Sequence, residues 1–145
     1  MEIKIIEIQS NEGLEQAFQI RRKVFIEEQG VEEKEEFDEF DLSSKQFLAF
    51  YDSKPVGTAR FRYIGEKVKM ERFAVLKEFR NYKIGTQLIR EMLERMTEPE
   101  EIYLHAQVSA IPFYEKNGFF PVGELFQEAN ILHRKMIYGF KEEAF

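Results

Sequence analysis

The sequence contains no cysteine and no tryptophan, and only two of its 145 residues are histidine. Without cysteine the chain has neither disulfides nor thiolate metal ligands. His105 and His133 lie on different predicted strands, without a second histidine at helical spacing, so we expect ordinary sheet residues and no metal site. No stretch approaches the roughly 18 consecutive apolar residues of a membrane helix, and the first residues do not resemble a signal peptide. We therefore expect a cytoplasmic protein without membrane contact.

Charge is distributed unevenly along the chain. The net charge of −6 argues against a general nucleic-acid binder. Residues 27–41 contain nine carboxylates and one lysine, whereas basic residues concentrate between Arg60 and Arg95. Two such segments suit a cationic substrate and an anionic cofactor, although a solvated acidic loop would have the same composition. The length predicts one domain over residues 1–145.

The hydrophobic pattern predicts both helices and strands. Alternating isoleucines predict a first strand at Glu2–Ile8, and a helix capped by Ser10 or Asn11 follows from about Glu12 to Gly30. Residues 31–44 are polar and predict a short helix or an ordered loop. Further strands are predicted at Gln46–Tyr51, Val56–Ile64, Val68–Val75, Glu101–Val108, Phe119–Val122 and Ile131–Tyr138, with a loop at Glu124–Asn130.

Two more helices complete the predicted fold. The first begins at Ile84 and stops near Thr97, and the strands that it joins should be parallel. The second is capped by Ser109, has Pro112 in its first turn and stops at Gly118. The result is a fold of the α+β class, a mixed sheet of about seven strands with helices on both faces.

A strand, a basic loop and a helix N-terminus follow one another between residues 68 and 86. The first turn of a helix has free N–H groups and a partial positive charge, which together suit a pyrophosphate. Arg80 and Lys83 add formal positive charge, and we expect Gly85 to let the backbone approach a ligand closely. This stretch therefore predicts an anion-binding site.

Two segments, RNYKIG at Arg80–Gly85 and AIPFYEKNGF at Ala110–Phe119, make the chain resemble the GNAT N-acetyltransferase superfamily. The first segment is similar to the family pattern Arg/Gln-x-x-Gly-x-Gly/Ala, except that Lys83 replaces the first glycine. A lysine there can still donate its backbone N–H, provided that its φ stays negative. The second segment is similar to the family segment A-x-x-F-Y-E-K-x-G-F. The resemblance extends over the whole chain in the order of its predicted elements.

A narrower resemblance lies in the N-terminal third. Arg21–Gln29, followed by Asp38 and Asp41 and joined by the later pair Ala106-Gln107, resembles the ElaA/YjcF-like branch of small bacterial acetyltransferases. This resemblance implies an enzyme class and leaves the acceptor substrate open.

The resemblance implies acetyl-CoA as the cofactor, bound where two parallel strands splay apart. An opened strand edge can hydrogen-bond the amides of a pantetheine arm, and a backbone N–H near Phe73 could stabilise the oxyanion. The implied cofactor-binding residues lie on the strand, in the loop and on the two following helices: Phe73, Ala74, Val75, Arg80, Asn81, Tyr82, Lys83, Ile84, Gly85, Thr86, Phe113 and Lys116.

The resemblance also implies two catalytic residues. Tyr114 would donate a proton to the CoA thiolate, unless it is a core aromatic residue. Glu71 would act as the base, on the same strand face as Phe73 and with a pKa raised by apolar neighbours. The alternatives are a structural pair of Glu71 with Arg60 or Arg62, or a water that relays the proton to a distant carboxylate.

The acceptor side allows two interpretations. The residues expected to frame an acceptor pocket are Arg21, Phe25, Glu28, Asp38, Asp41 and Gln107. An arginine on a buried helix face with nearby carboxylates would equally form a structural ion-pair network that ties the loop to the sheet. The spacing Glu36-x-Asp38-x-x-Asp41 also resembles acyl-homoserine-lactone synthases, which carry tryptophans that this chain lacks.

The expected function is acetyl transfer from acetyl-CoA to a primary amine of a small acceptor. Direct attack in a ternary complex is expected, because no cysteine is available for an acyl-enzyme. Two alternatives remain open: a non-catalytic acyl-CoA-binding or sensing domain, and acyl transfer with longer chains. The acidic segment predicts a cationic acceptor. We expect a monomer or a homodimer, in which the tail Gly139–Phe145 could pair with another chain.

Overall fold

A computed structural model describes residues 2–139, and the predicted pairing of the tail after Gly139 lies outside these residues. The strands are β1 Ile3–Glu7, β2 Lys45–Tyr51, β3 Lys54–Ile64, β4 Lys67–Val75, β5 Glu101–Gln107, β6 Phe119–Glu128 and β7 Ile131–Tyr138. The helices are α1 Asn11–Arg21, α2 Glu33–Glu36, α3 Ile84–Glu94 and α4 Ile111–Lys116. Within the described part of the chain, no helix is both long enough and apolar enough to cross a membrane.

The strands form one sheet in the order β1-β2-β3-β4-β5-β7-β6. Only β4 and β5 are parallel among the neighbouring strands of residues 2–139. Helix α3 connects these two strands, as a parallel pair requires. The predicted α+β class, the mixed seven-stranded sheet and its parallel pair are confirmed.

Helix α1 covers one face of the sheet. Its first turn is capped by Ser10, whose Oγ accepts a hydrogen bond from the N–H of Gly13 at 3.0 Å. The helix buries Ala17 and Ile20 against the sheet. It does not end at Arg21 but continues as a π-helix over Arg22–Glu28. The widened turns carry the end of the helix towards the loop that follows β4.

Helix α3 covers the opposite face. Its apolar stripe places Ile84, Leu88, Ile89 and Met92 in the main hydrophobic core, each at most 1% exposed. Burying one such side chain stabilises the fold by about 1.5–3 kcal/mol. The start of α3, which follows β4 directly, is thereby fixed relative to the sheet.

Strand β6 is longer than the sequence predicted. The predicted loop at Glu124–Asn130 is wrong, because β6 continues through a bulge after Val122 as far as Glu128. The hairpin to β7 is closed by two residues alone, Ala129 and Asn130, which have φ values of 51° and 62°. Alanine rarely adopts positive φ, so the pattern gave no sign of this tight turn.

The start of α4 also differs from the prediction. Ser109 does not cap this helix, because it lies inside a short 3-10 helix, Val108–Ala110, that precedes α4. Pro112 lies in the first turn, and Gly118 follows the helix with a φ of 95°. The predicted proline and glycine positions are therefore confirmed.

Candidate active site

Strands β4 and β5 pair only over their first halves. Their parallel register runs from Lys67 opposite Glu101 to Met70 opposite Leu104, and the strands separate beyond that point. A cavity of about 820 Å³ opens there and is lined by residues of both strands. The predicted splay of the parallel pair is confirmed.

A bulge in β4 begins where this pairing ends. Two residues of β4, Arg72 and Phe73, oppose the single residue Ala59 of β3. Arg72 has a φ of 60°, which a side chain other than glycine rarely adopts. Phe73 consequently packs against the same apolar cluster as Met70, three positions earlier. The prediction that Glu71 and Phe73 share a strand face is wrong, because the extra residue shifts the alternation.

The loop after β4 presents the first turn of α3. Residues Lys77–Tyr82 form a 3-10 helix, and α3 begins at Ile84 without a side-chain cap. The first N–H groups of α3 therefore have no partner within the helix or from a cap, which suits an anion. Lys83 has a φ of 60°, so the condition of a negative φ is not met. The lysine adopts the left-handed conformation for which the family pattern has glycine.

Gly85 contacts the following helix. A Cβ at this position would lie 2.8 Å from Cζ of Phe113 in α4, closer than two carbon atoms can approach without a shift. The glycine is therefore required by the packing of α4 on α3. From the sequence we expected this glycine to let a ligand approach the backbone. In the structure it lets α4 pack closely on α3.

Arg80 already has protein partners. Its Nη1 and Nη2 donate to the two carboxylate oxygens of Glu28 at 2.7 and 2.8 Å, and its Nε donates to the Val75 carbonyl at 2.9 Å. The hydrogen bond from Arg80 holds the pKa of Glu28 below its ordinary value. Glu28 was predicted for the acceptor side, but it contacts the cofactor loop. The Val75 carbonyl, on the strand edge predicted to bind pantetheine, accepts the hydrogen bond from Nε of Arg80.

The other predicted cofactor residues lie around this loop. Tyr82 packs on Tyr51, with ring centroids 4.8 Å apart, and Asn81 is exposed beside it. Ala74 is buried under α1, on the face away from the main core. Thr86 lies in the first turn of α3, and Lys116 is exposed on α4.

Tyr114 belongs both to the core and to the wall of the cavity. Its ring centroid lies 5.7 Å from that of Phe73, 5.0 Å from that of Phe113 and 5.9 Å from that of Phe119. The residue also lines the cavity. Burial raises the pKa of Tyr114 well above its ordinary value. The phenol therefore keeps its proton at neutral pH and can act as a proton donor there.

A buried ion-pair network lies on the side of α1. Arg21 and Arg60 are both fully buried. Arg21 donates to Glu36 at 2.7 Å and to Asp41, and Arg60 donates to Asp38 at 2.9 Å and to Asp41 at 2.8 Å. Burial opposes ionisation, but these hydrogen bonds hold the pKa values of Asp38 and Asp41 below their ordinary range.

This network favours the structural interpretation of the N-terminal third. Arg72 of β4 adds contacts to Glu36 at 3.3 Å and to Asp38 at 3.1 Å, so the network fastens residues 31–44 to the sheet. Arginines pair with five of the nine carboxylates that led us to expect a cationic acceptor: Glu28, Glu33, Glu36, Asp38 and Asp41. The charge argument for such an acceptor is therefore weaker. Arg72 was missed, and Glu36 was noted only for its spacing to Asp38, because their partners are distant in sequence.

Glu71 is surrounded by cations. Its Oε1 accepts from Arg62 at 2.8 Å and from Arg60 at 3.3 Å, and its Oε2 lies 3.1 Å from Nζ of Lys69. Burial alone would raise its pKa, but the hydrogen bond from Arg62 and the neighbouring charges lower it. The predicted raised pKa is wrong. The geometry supports the alternative of a structural pair with Arg60 and Arg62, and an ion-paired carboxylate is a weak base.

Two predicted acceptor-side residues line the cavity itself, Phe25 and Gln107. The Nε2 of Gln107 donates to Oε1 of Gln29 at 2.8 Å. The end of β5 is thereby linked to the end of the helical segment that begins with α1.

The family model described as an acetyltransferase (GNAT) domain matches residues 9–140. The chain belongs to the GNAT acetyltransferase family. The uncapped first turn of α3 and the cavity between the separated strands fit the cosubstrate of such an enzyme. The predicted cofactor, acetyl-CoA, is confirmed at the level of the family, and acyl transfer from CoA to an acceptor follows from membership.

Relatives of this GNAT chain include the predicted branch. It is 34% identical over 139 residues to the uncharacterized N-acetyltransferase YjcF of Bacillus subtilis, covering 93% of this chain and 99% of the relative. The crystal structure of Escherichia coli ElaA matches with a TM-score of 0.80 and 27% identity, covering 94% and 98% of the two chains. The PaiA N-acetyltransferase of Thermoplasma acidophilum in complex with coenzyme A has a TM-score of 0.71 at 21% identity, over 95% and 100% of the chains, and shows the fold alone.

Sequence reasoning missed one polar cluster on the wall of this GNAT cavity. Nδ1 of His105 lies 3.4 Å from Oε1 of Glu128, and Nε2 of His133 lies 3.8 Å from its Oε2. The hydrogen bond with His105 outweighs burial and lowers the pKa of Glu128 to about 2. The predicted loop at Glu124–Asn130 concealed the cluster, because only a continuous β6 brings Glu128 beside β5 and β7. Within residues 2–139, no three histidine or acidic side chains are arranged to hold a metal ion.

Proposed function

We propose that the protein is an N-acetyltransferase that transfers the acetyl group of acetyl-CoA to a primary amine of a small acceptor. The observation that carries the proposal is the cavity at the gap between β4 and β5, which adjoins Tyr114 on one side and residues of the α1 side on the other. Because the sequence has no cysteine, direct attack by the amine in a ternary complex is proposed rather than a thiol acyl-enzyme.

The cofactor side would act through its backbone. The free N–H groups in the first turn of α3 would hold the pyrophosphate, with Arg80 and the Thr86 hydroxyl beside them. The separated edge of β4, around Phe73 and Val75, would hydrogen-bond the amides of the pantetheine arm. Acetyl-CoA supplies the activated thioester carbonyl at the far end of that arm.

Tyr114 is proposed as the acid for the leaving sulfur. Breaking the C–S bond leaves a thiolate, and a phenol at the cavity wall can give it a proton. Burial raises the pKa of Tyr114, so its proton is present at neutral pH.

The acceptor would enter from the side of α1. Phe25 and Gln107 line this part of the cavity, and we propose that they contact the acceptor. Arg21, Asp38 and Asp41 would act indirectly, because their ion pairs position residues 31–44, which contribute further wall residues.

Acetyl-CoA binding and CoA release test this proposal together. Calorimetry should detect acetyl-CoA binding, and CoA release should be measured with a panel of polyamines, amino sugars and peptides. Turnover with at least one primary amine is expected. Tight binding without release across the panel would instead favour a sensing domain. A larger thermal shift with octanoyl-CoA than with acetyl-CoA would favour longer acyl chains.

Tyr114→Phe tests the proposed acid. We expect kcat to fall about 10²–10⁴-fold, because protonation of the leaving group is lost, while the affinity for acetyl-CoA stays the same. Tyr138→Phe is the matched control, since Tyr138 also packs against Phe119 but lies exposed outside the cavity. Unchanged turnover in Tyr114→Phe would remove this residue from the mechanism.

A further inference from the structure

We infer that His105 is the general base that deprotonates the acceptor ammonium, and that Glu128 orients its imidazole. The inference rests on the proposed acetyl transfer to an amine. An amine is protonated at neutral pH and cannot attack a thioester until a base removes one proton. The base must therefore line the cavity and have an unoccupied lone pair.

Four carboxylates of the α1 side line the cavity; Glu35 is exposed to solvent, and the other three do not meet this requirement. Both oxygens of Glu71 face cations, with Arg62 at 2.8 Å and Lys69 at 3.1 Å. Glu36 and Asp38 also line the cavity, and their carboxylates lie 3.3 and 3.1 Å from the guanidinium of Arg72. Proton transfer to any of these groups would break a charge pair in a buried setting.

His105 lies where the two parallel strands separate. Leu104 is the last residue of β5 that pairs with β4, and His105 is the next residue. Leu104 and Ala106 are buried in the main core, so alternation directs His105 to the opposite face, where α1 lies. The histidine is among the residues that line the cavity, and its side chain is 26% exposed. It therefore adjoins the gap that would hold the thioester.

Glu128 fixes the orientation of this imidazole. Nδ1 of His105 lies 3.4 Å from Oε1 of Glu128, and the ring packs edge-on against Phe126 at 4.9 Å. A carboxylate at Nδ1 keeps the proton on that nitrogen and leaves the lone pair of Nε2 free. The other charged side chains near the pair are Lys135, opposite His105 in the register of β7, and Lys69, whose charge acts on Glu128.

His133 has a different position in the cluster. Its Nδ1 lies 2.7 Å from the carbonyl oxygen of Ile131, and the residue is only 6% exposed. This contact fixes the proton on Nδ1 and holds the ring against the β6–β7 hairpin. His133 also lines the cavity, but it is nearly buried and held by the hairpin, whereas the side chain of His105 is 26% exposed and is the more accessible to a ligand.

The proton movements balance with these assignments. Nε2 of His105 takes one proton from the ammonium, and the neutral amine nitrogen then forms a bond to the carbonyl carbon of the thioester. The C–S bond breaks while Tyr114 gives its proton to sulfur. The second proton on nitrogen returns to the Tyr114 oxygen as the amide forms. His105 finally releases its proton to solvent, and the products are the acetamide, CoA and one proton.

Two nucleophiles separate a base from a structural residue. His105→Gln should be assayed with acetyl-CoA and two probes: the alkylamine of the panel that reacts fastest with wild type, and hydroxylamine, which is mostly neutral at neutral pH. With the alkylamine we expect kcat to fall about 10²–10⁴-fold. With hydroxylamine, which needs no prior deprotonation, we expect a loss of about tenfold or less. Added imidazole should partly restore the alkylamine rate of His105→Ala.

The controls distinguish loss of a base from loss of the fold and from failure of the proposed function. Both variants should unfold at the wild-type temperature and bind acetyl-CoA normally. His133→Gln, a histidine beside the same carboxylate, should lower the rates with both nucleophiles by the same factor. Equal losses for the two nucleophiles in His105→Gln, or unchanged rates, would overturn the role of His105 while leaving acetyl transfer intact. If wild type releases CoA with no amine of the panel, the proposed function fails and the inference fails with it.

Discussion

The two sides of the cavity are built in different ways. On the side of α1, charged side chains hold the wall, and Arg21 and Arg60 are both fully buried among carboxylates. On the cofactor side, the uncapped backbone of the first turn of α3 is presented by an exposed loop with a left-handed residue, Lys83. One wall is thus fixed by side-chain pairing before any ligand binds, whereas the other depends on backbone geometry.

This difference shows where substitutions should act. Loss of a charged side chain on the α1 side leaves its partner buried without compensation, so the fold itself is weakened. Substitution on the cofactor side changes φ angles or helix packing, so the effect should appear in ligand binding as much as in stability. Four experiments test this contrast, in order of decreasing expected effect.

The largest effect is expected from Arg21→Met. Glu36 and Asp41 would lose a buried partner, and we expect the free energy of unfolding to fall by about 3–5 kcal/mol. Arg22→Met is the adjacent control, because Arg22 is 38% exposed and pairs with the exposed Glu33. Arg22→Met should lower the free energy of unfolding by less than about 1 kcal/mol. Urea denaturation of both variants measures the difference, and equal losses would show that burial of the network is energetically unimportant.

The next largest effect on stability is expected when the pH is lowered. The pKa values of Asp38, Asp41 and Glu71 are lowered in the folded state, so their pairing stabilises the fold above the ordinary carboxyl range. That stability should be lost as pH falls below about 5 and through the lowered pKa values. Burial raises the pKa of Glu36, which acts in the opposite direction. Urea unfolding at several pH values tests the sign, and a flat profile would contradict it.

On the cofactor side, Gly85→Ala should lower the free energy of unfolding by about 1–3 kcal/mol, because the new methyl group meets the ring of Phe113. The affinity for acetyl-CoA should fall as well, since α3 and α4 must move apart. Phe113→Leu removes the clashing ring atom and provides a double-mutant cycle. The cost of Gly85→Ala should shrink in that background, and purely additive costs would exclude the clash as its cause.

The smallest effect is expected at Lys83. Glycine adopts the φ of 60° found at Lys83 without strain, whereas alanine adopts it at a steric cost, so Lys83→Gly should be more stable than Lys83→Ala by about 1 kcal/mol. Both substitutions remove the same charge, and any difference in acetyl-CoA affinity between them therefore reports loop geometry. Equal stability of the two variants would mean that the left-handed conformation is not retained in solution.

Local sequence signals predicted the elements and their order. The alternating strands, the apolar stripe of α3, Pro112 and Gly118 each carry a short-range signal, and the structure follows them. The bulge at Arg72 carries no glycine or proline. The turn at Ala129-Asn130 uses a residue that seldom adopts positive φ. Because of these two irregularities, the sequence predicted the wrong strand face for Glu71 and ended β6 too early.

The charges of the site could not be assigned in the same way. Arg60 pairs with a carboxylate 22 positions away. Several acidic side chains in residues 27–41 were equally good candidates for this pairing from the sequence alone. His105, Glu128 and His133 lie on three different strands. Their proximity follows from sheet order, which no local pattern specifies. The sequence therefore predicted the type of fold and cofactor better than the group that accepts a proton.

The bulge of β4 limits which mutations this part of the chain can accept during evolution. The extra residue opposite Ala59 makes β4 one residue longer than its partner over the same span. A point substitution cannot remove it, whereas deletion of a single codon between Met70 and Ala74 would restore strict alternation. Ala74 and Val75 would keep their partners Thr58 and Gly57, but the irregularity with which β4 separates from β5 would be lost. We therefore expect this stretch to tolerate exchanges of residue type far better than any change in its length.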